Sequence, residues 1–147
     1  MRYSYVHDNA YDALWCDYCG NSHSLIENNT IVRNGRSGVH WEMSGQFVAG
    51  DNIVIRNNEI KSNGNNCAPT GSQLAAGILI EDASNVSISG NAFGGNGACE
   101  DAGLRAVNAY DGPRSGAVAN IVVTDNLLNG DRLAICTEFG TICFGNV

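Results

Sequence analysis

The chain has 147 residues, the length of one domain. Fifteen Asp and Glu stand against eight Lys and Arg, a formal net charge of −7. That balance argues against a nucleic-acid partner, which needs a basic face to neutralise phosphate, and no run approaches the roughly 18 apolar residues of a membrane-crossing helix.

Residues 4–11 (SYVHDNAY) read as a first strand and turn on Val6, Asn9 and Tyr11, and 12–17 (DALWCD) as a second strand. After a connection over 18–23, residues 24–35 (SLIENNTIVRNG) open a second copy on Ile26, Asn29 and Ile31, broken at Asn34-Gly35. Its second strand is 37–42 (SGVHWE), and 46–51 leads onward. The third copy, 52–64 (NIVIRNNEIKSNG), is the clearest: Ile53, Ile55 and Ile60 are its apolar set, Asn58 and Asn63 its polar pair, Gly64 its break. An inserted loop, 65–75, carries Cys67 and Pro69 ahead of the strand 77–81 (GILIE). The fourth copy, 86–97 (VSISGNAFGGNG), uses Val86, Ile88, Asn91, Phe93, Asn96 and Gly97, with 103–107 (GLRAV) as second strand and 110–116 (YDGPRSG) as the return. The fifth, 121–128 (IVVTDNLL), holds Ile121, Val123, Asn126 and Leu128, reaches its Asn-Gly early at Asn129-Gly130, and closes on 133–136 and an irregular tail.

Apolar residues two apart follow the strand period, and the Gly and Asn crowding each copy disfavour helix interiors. No helix of consequence is expected. A strand and turn recurring every few tens of residues describe one coil of a solenoid. Successive coils stand about 4.8 Å apart, so five coils give an axis of about 24 Å in a single domain, 1–147. An inward Asn carries both donor and acceptor, so Asn9, Asn29, Asn58, Asn91 and Asn126 are expected to bond coil to coil in a ladder. Asn also tolerates the left-handed backbone of a sharp turn.

The frames IENNTIVRNG, IRNNEIKSNG and ISGNAFGGNG, with the strands GVHWE and GILIE between them, resemble the right-handed parallel β-helix repeat family of pectate-lyase-like and NosD-like proteins. The resemblance covers nearly the whole chain and implies an all-β fold, a right-handed parallel β-helix of about five short coils. It says little of function, because that family mixes lyases, hydrolases, epimerases, phage tailspikes and proteins of unknown role. Solenoids end in polar caps, and none is read here. The expectation is therefore a fragment of a longer helix, or end-to-end or homo-oligomer contacts that cover the ends.

Six cysteines point to an oxidising, extracellular compartment, although the opening MRYSYVHDNA lacks the apolar region of a signal peptide; lost N-terminal sequence would reconcile the two. Cys67 with Cys99, Cys136 with Cys143 and Cys16 with Cys19 are the expected pairings. The Cys16/Cys19 pair (CDYC) also has a metal or redox reading, to which a structural role is preferred.

Aligning the second strands LWCD, VHWE, ILIE and LRAV turns Leu14, Val39, Ile78, Leu104, Cys16, Trp41, Ile80 and Ala106 inward. Trp15, His40, Leu79 and Arg105 then form one outward column and Asp17, Glu42 and Glu81 an acidic column beside it. Stacked carboxylates repel and either shift a pKa or recruit a cation. Asp17, Glu42 and Glu81 are the expected ligand set for Ca²⁺, which lyases of the resembled family use to neutralise a uronate. Paired carboxylates also serve glycoside hydrolysis. Trp15, Asp17 and Glu81 would bind sugar, His40 act as base with Glu42, and Arg105 pair with a substrate carboxylate. The plain alternative is a solvated acidic face. Arg56 and Glu27 read as a surface ion pair of little worth, and His7 and His23 lack obvious partners. The expected function is a secreted β-helix associated with polysaccharide, a lyase or hydrolase on a uronate-type glycan; the alternative is a non-catalytic glycan-binding, adhesion or structural module.

Overall fold

In the computed structural model, residues 1–17, 23–42, 52–65, 75–97, 102–107, 118–137 and 141–147 are described. The first coil holds β1 (Tyr5–His7) and β2 (Leu14–Asp17). The second holds β3 (Ser24–Glu27), β4 (Thr30–Val32) and β5 (Val39–Glu42). The third holds β6 (Ile53–Arg56), β7 (Glu59–Lys61) and β8 (Ile78–Glu81). The fourth holds β9 (Ser84–Ser89), β10 (Ala92–Gly94) and β11 (Ala102–Val107). The fifth holds β12 (Ala119–Thr124) and β13 (Arg132–Leu133), followed by a 3₁₀ turn at Ala134–Thr137, and β14 (Ile142–Phe144) begins the next turn. All pairing is parallel, in three sheets ordered β1-β4-β7-β10, β13-β11-β8-β5-β2 and β14-β12-β9-β6-β3. The chain is a parallel β-helix.

The frames at 24–35, 52–64 and 86–97 each contain two strands, not the one strand and turn that the pattern suggests. The ladder Asn sits at the corner between them, as Asn29 does between β3 and β4. The left-handed residue at that corner is the one before the Asn: Asn28 (φ 55°), Asn57 (φ 54°), Gly90 (φ 63°) and Asp125 (φ 56°). A single αL residue swings the chain and aims the following carboxamide inward.

The amides form two ladders where the sequence reading had one. In the first, Asn29 Nδ2 donates to Asn58 Oδ1 (2.8 Å), Asn58 to Asn91 (2.9 Å), Asn91 to Asn126 (3.0 Å) and Asn126 to Asn146 (2.9 Å). In the second, Asn9 donates to Asn34 (2.8 Å), Asn34 to Asn63 (2.8 Å), Asn63 to Asn96 (3.0 Å) and Asn96 to Asp131 Oδ2 (2.7 Å). Asn9 therefore belongs to the second ladder. The register Tyr5↔Thr30 places Ser4 at the first ladder's position, and the Ser4 N–H closes on Asn29 Oδ1 at 3.0 Å. Asp131, rather than the Asn129-Gly130 step, is the last member of the second ladder.

Inside the coil, like stacks on like. Ile26, Ile55, Ile88 and Val123 lie in one row and Ile53, Val86 and Ile121 in another, all at most 2% exposed. Each buried side chain contributes roughly 1.5–3 kcal/mol. Val39, Ile78, Leu104, Trp41 and Ile80 point inward as expected, with Leu14 and Cys16 packed against them; the side chain of Ala106 is outside the described residues. Glycine opens the second strand for a steric reason. A Cβ on Gly38 would lie 2.7 Å from the Gly77 carbonyl oxygen and 2.9 Å from Asn63 Nδ2, and one on Gly77 would lie 2.6 Å from the Gly103 carbonyl oxygen. The column Gly38, Gly77, Gly103 makes room for the second ladder.

No free thiol is present among the described residues, where Cys16 and Cys143 are each a disulfide sulfur, their partners outside the described side chains. Cys19, Cys67 and Cys99, and with them the expected Cys67–Cys99 and Cys16–Cys19 pairings, lie outside the described residues, as does the Cys136 side chain.

Candidate functional site

Strand alternation in β2, β5 and β8 sends the second and fourth residues outward. The register aligns Trp15, His40, Leu79 and Arg105 across four coils, and Asp17, Glu42 and Glu81 across three. Both columns are where the alternation places them, but this is no solvated acidic face. His40 is 2%, Leu79 0%, Glu42 7% and Glu81 8% exposed, while Trp15 at 57% stays open.

Burial forces these polar groups onto one another. His40 Nε2 meets Glu81 Oε2 at 2.5 Å, across neighbouring coils. His40 Nδ1 lies 3.5 Å from Asp12 Oδ2, and Arg36 Nη1 lies 3.3 Å from the same oxygen. The Ser37 N–H donates to the other Asp12 oxygen at 2.8 Å. The Trp15 indole ring stacks on the imidazole, centroids 5.9 Å apart and 9° from parallel, and its Nε1–H donates to Glu42 Oε2 at 3.3 Å. His40, the second-coil member, is thus gripped between an acid of the first coil and an acid of the third.

The electrostatics follow from that grip. Burial pushes the His40 imidazole down, but Asp12 and Glu81 together outweigh it and hold it up to about 9. Burial likewise pushes the Asp12 carboxyl up, and His40, the Ser37 N–H and Arg36 more than reverse this, leaving it below the usual carboxylate value. Near neutral pH the centre is an imidazolium between carboxylates. Asp12 Oδ2, His40 Nδ1, Arg36 Nε and Ser37 Oγ are nevertheless buried with no well-formed hydrogen bond.

A ring nitrogen of His40 and one carboxylate oxygen each from Glu42 and Glu81 lie within 4.8 Å of one another, the metal-capable group among the described residues. Asp17 shares the acidic row but is exposed. Arg105 stands two coils from His40, partly buried and engaged with neighbours. The structure therefore gathers Trp15, His40, Glu42 and Glu81 and leaves Asp17 and Arg105 at the margins. Asp12 and Arg36 escaped the sequence reading. Their one signal was an acid two residues before a strand and a base in the next coil's matching corner.

Other expectations resolve nearby. Arg56 pairs with Glu27 at 2.7 Å, and Arg2 holds the same carboxylate at 2.8 Å, so that Glu27 is buried between two guanidinium groups. His7 is partnered after all, by Asp8 at 2.5 Å and by stacking on Tyr5, and His23 Nδ1 lies 3.3 Å from Asn52 Nδ2.

A family model described as a right-handed beta helix region matches residues 1–146. Neither the curated proteins nor the solved structures gave a match.

Proposed function

The chain belongs to the right-handed β-helix family, and from that premise we propose that it is an extracellular, polysaccharide-associated β-helix whose working face is the outer side of β2, β5 and β8. The observation that carries the reading is the in-register pair Glu42 and Glu81, buried one coil apart beside the exposed indole of Trp15. Trp15 offers a flat apolar platform for a sugar ring. One carboxylate oxygen each from Glu42 and Glu81 falls within 4.8 Å, close to the roughly 5 Å separation at which one carboxylate attacks a glycosidic carbon while the other group, as the carboxylic acid, protonates the leaving oxygen. Hydrolysis fits better than β-elimination. An imidazole already holding a proton between Asp12 and Glu81 is a poor base for a sugar C–H. The disulfide-bonded Cys16 and Cys143 support the extracellular assignment, with Cys16–Cys19 and Cys136–Cys143 as the proposed bridges.

A second reading, a glycan-binding module without turnover, is favoured by the same burial, since Glu42 already accepts the Trp15 N–H and Glu81 the His40 proton. Incubation with a panel of neutral and uronate-containing polysaccharides separates the two. New reducing ends that vanish in Glu42→Gln establish the hydrolase. Binding that Trp15→Ala abolishes, with no cleavage, establishes the module. Neither binding nor cleavage overturns both.

A further inference from the structure

We propose that His40, Glu42 and Glu81 bind one divalent transition-metal ion of borderline character, such as Zn²⁺, with Asp12 as the carboxylate behind the histidine. The site goes beyond the glycan reading: it takes as ligands the two carboxylates that the hydrolase reading uses, so the two exclude each other in the metal-bound chain, and its test reads metal affinity rather than cleavage.

Three donors from two neighbouring strands converge within 4.8 Å, one nitrogen and two carboxylate oxygens. Glu42 and Glu81 are register neighbours, so their charges face each other across one coil spacing in a buried setting where a shared cation is the strongest remedy. The independent observation lies on the far side of the imidazole. His40 Nδ1 and Asp12 Oδ2 belong to side chains only 3% and 2% exposed, lie 3.5 Å apart, and have no well-formed hydrogen bond. Histidines that ligate a metal through one nitrogen give the other N–H to a carboxylate, which fixes the tautomer. With Nε2 on the ion the ring keeps its Nδ1–H, and Asp12 Oδ2, 3.5 Å away, is the carboxylate placed to receive it.

The proton that Nε2 now shares with Glu81 leaves to solvent as the ion enters, and Glu81 changes from proton acceptor to ligand. Glu42 Oε2 accepts the Trp15 N–H, and Glu42 contributes one carboxylate oxygen to the converging set. The donor set selects the ion. Calcium takes six to eight oxygen ligands, whereas an imidazole with two carboxylates suits zinc and its neighbours. Three protein donors leave a position for water.

Calorimetric titration of the chelator-washed chain with Zn²⁺, Co²⁺ and Ca²⁺ tests the assignment. One saturable equivalent of Zn²⁺ or Co²⁺ is expected, with Ca²⁺ far weaker. Glu42→Gln, which leaves the His40–Glu81 contact in place, lowers Zn²⁺ affinity at least tenfold, and Asp12→Asn by about 10–100-fold. His7→Gln leaves it unchanged. A readout needing no variant is the proton NMR spectrum of wild type with Co²⁺: the His40 ring signals shift, those of His7 and His23 do not. No saturable Zn²⁺ or Co²⁺ binding, calcium binding as tight as zinc, full affinity in Glu42→Gln, or shifts confined to His7 or His23 would each overturn the proposal.

Discussion

Polar groups stack across the coils of this molecule both inside the wall and outside it. The inner stacks are neutral amides up to the Asp131 carboxylate that ends the second, each amide giving and taking bonds with the neighbouring coils. The outer one, Asp12, His40 and Glu81, is charged, made of unlike groups, and leaves two buried atoms short of good partners. Both hold coils together. Only the inner one is saturated, and a saturated stack has nothing left to offer a ligand. Incomplete pairing in a buried place separates a site from a scaffold.

Breaking the inner stack should have the largest effect. Asn91 accepts from the N–H and Nδ2 of Asn58 and donates to the Ile55 carbonyl and Asn126. Asn91→Ala strands several buried partners, so urea unfolding should show a loss of about 4 kcal/mol. A loss under about 1 kcal/mol would mean that the ladder is ornamental.

The outer stack answers to pH where the inner one cannot. In metal-free protein the His40 value is raised from 6.5 to about 9. Its stabilisation is therefore complete below 6.5, the value of the unfolded chain, and is lost as pH rises through 9. After allowance for solvent screening this amounts to about 2 kcal/mol, read as the difference in unfolding free energy between about pH 6 and pH 10 relative to His40→Gln. An equal slope in that variant would assign the effect elsewhere. The smallest effect belongs to the other outer stack. Arg56→Ala leaves Glu27 still held by Arg2 at 2.8 Å, and thermal unfolding should register only about 0.5 kcal/mol.

What the sequence revealed follows the same division. Asn29, Asn58, Asn91 and Asn126 were legible because each recurs at one offset from flanking apolar residues, and repetition is visible without coordinates. Asn9 was assigned to the wrong ladder because Ser4, at the matching position, carries no amide to mark it. The corner within each frame stayed hidden because apolar residues continue on both sides of it, as Ile26 and Ile31 do around Asn29. The outward columns were legible from strand alternation alone. Their burial was not, since what covers a sheet face is a long-range matter. Asp12 and Arg36 come from corners of different coils, where nothing repeats.

The second ladder also has a polarity. Each carboxamide there directs its N–H towards the later coil and its carbonyl towards the earlier one, so the small dipoles add along the axis as peptide dipoles do in a helix. The positive pole emerges past Asn96, and the group waiting there is a carboxylate, Asp131. An acid cannot pass an amide proton onward, but it can neutralise the pole where the relay stops. A coil gained or lost in the middle of the stack would leave that terminus intact, which makes the number of turns adjustable without remaking the end.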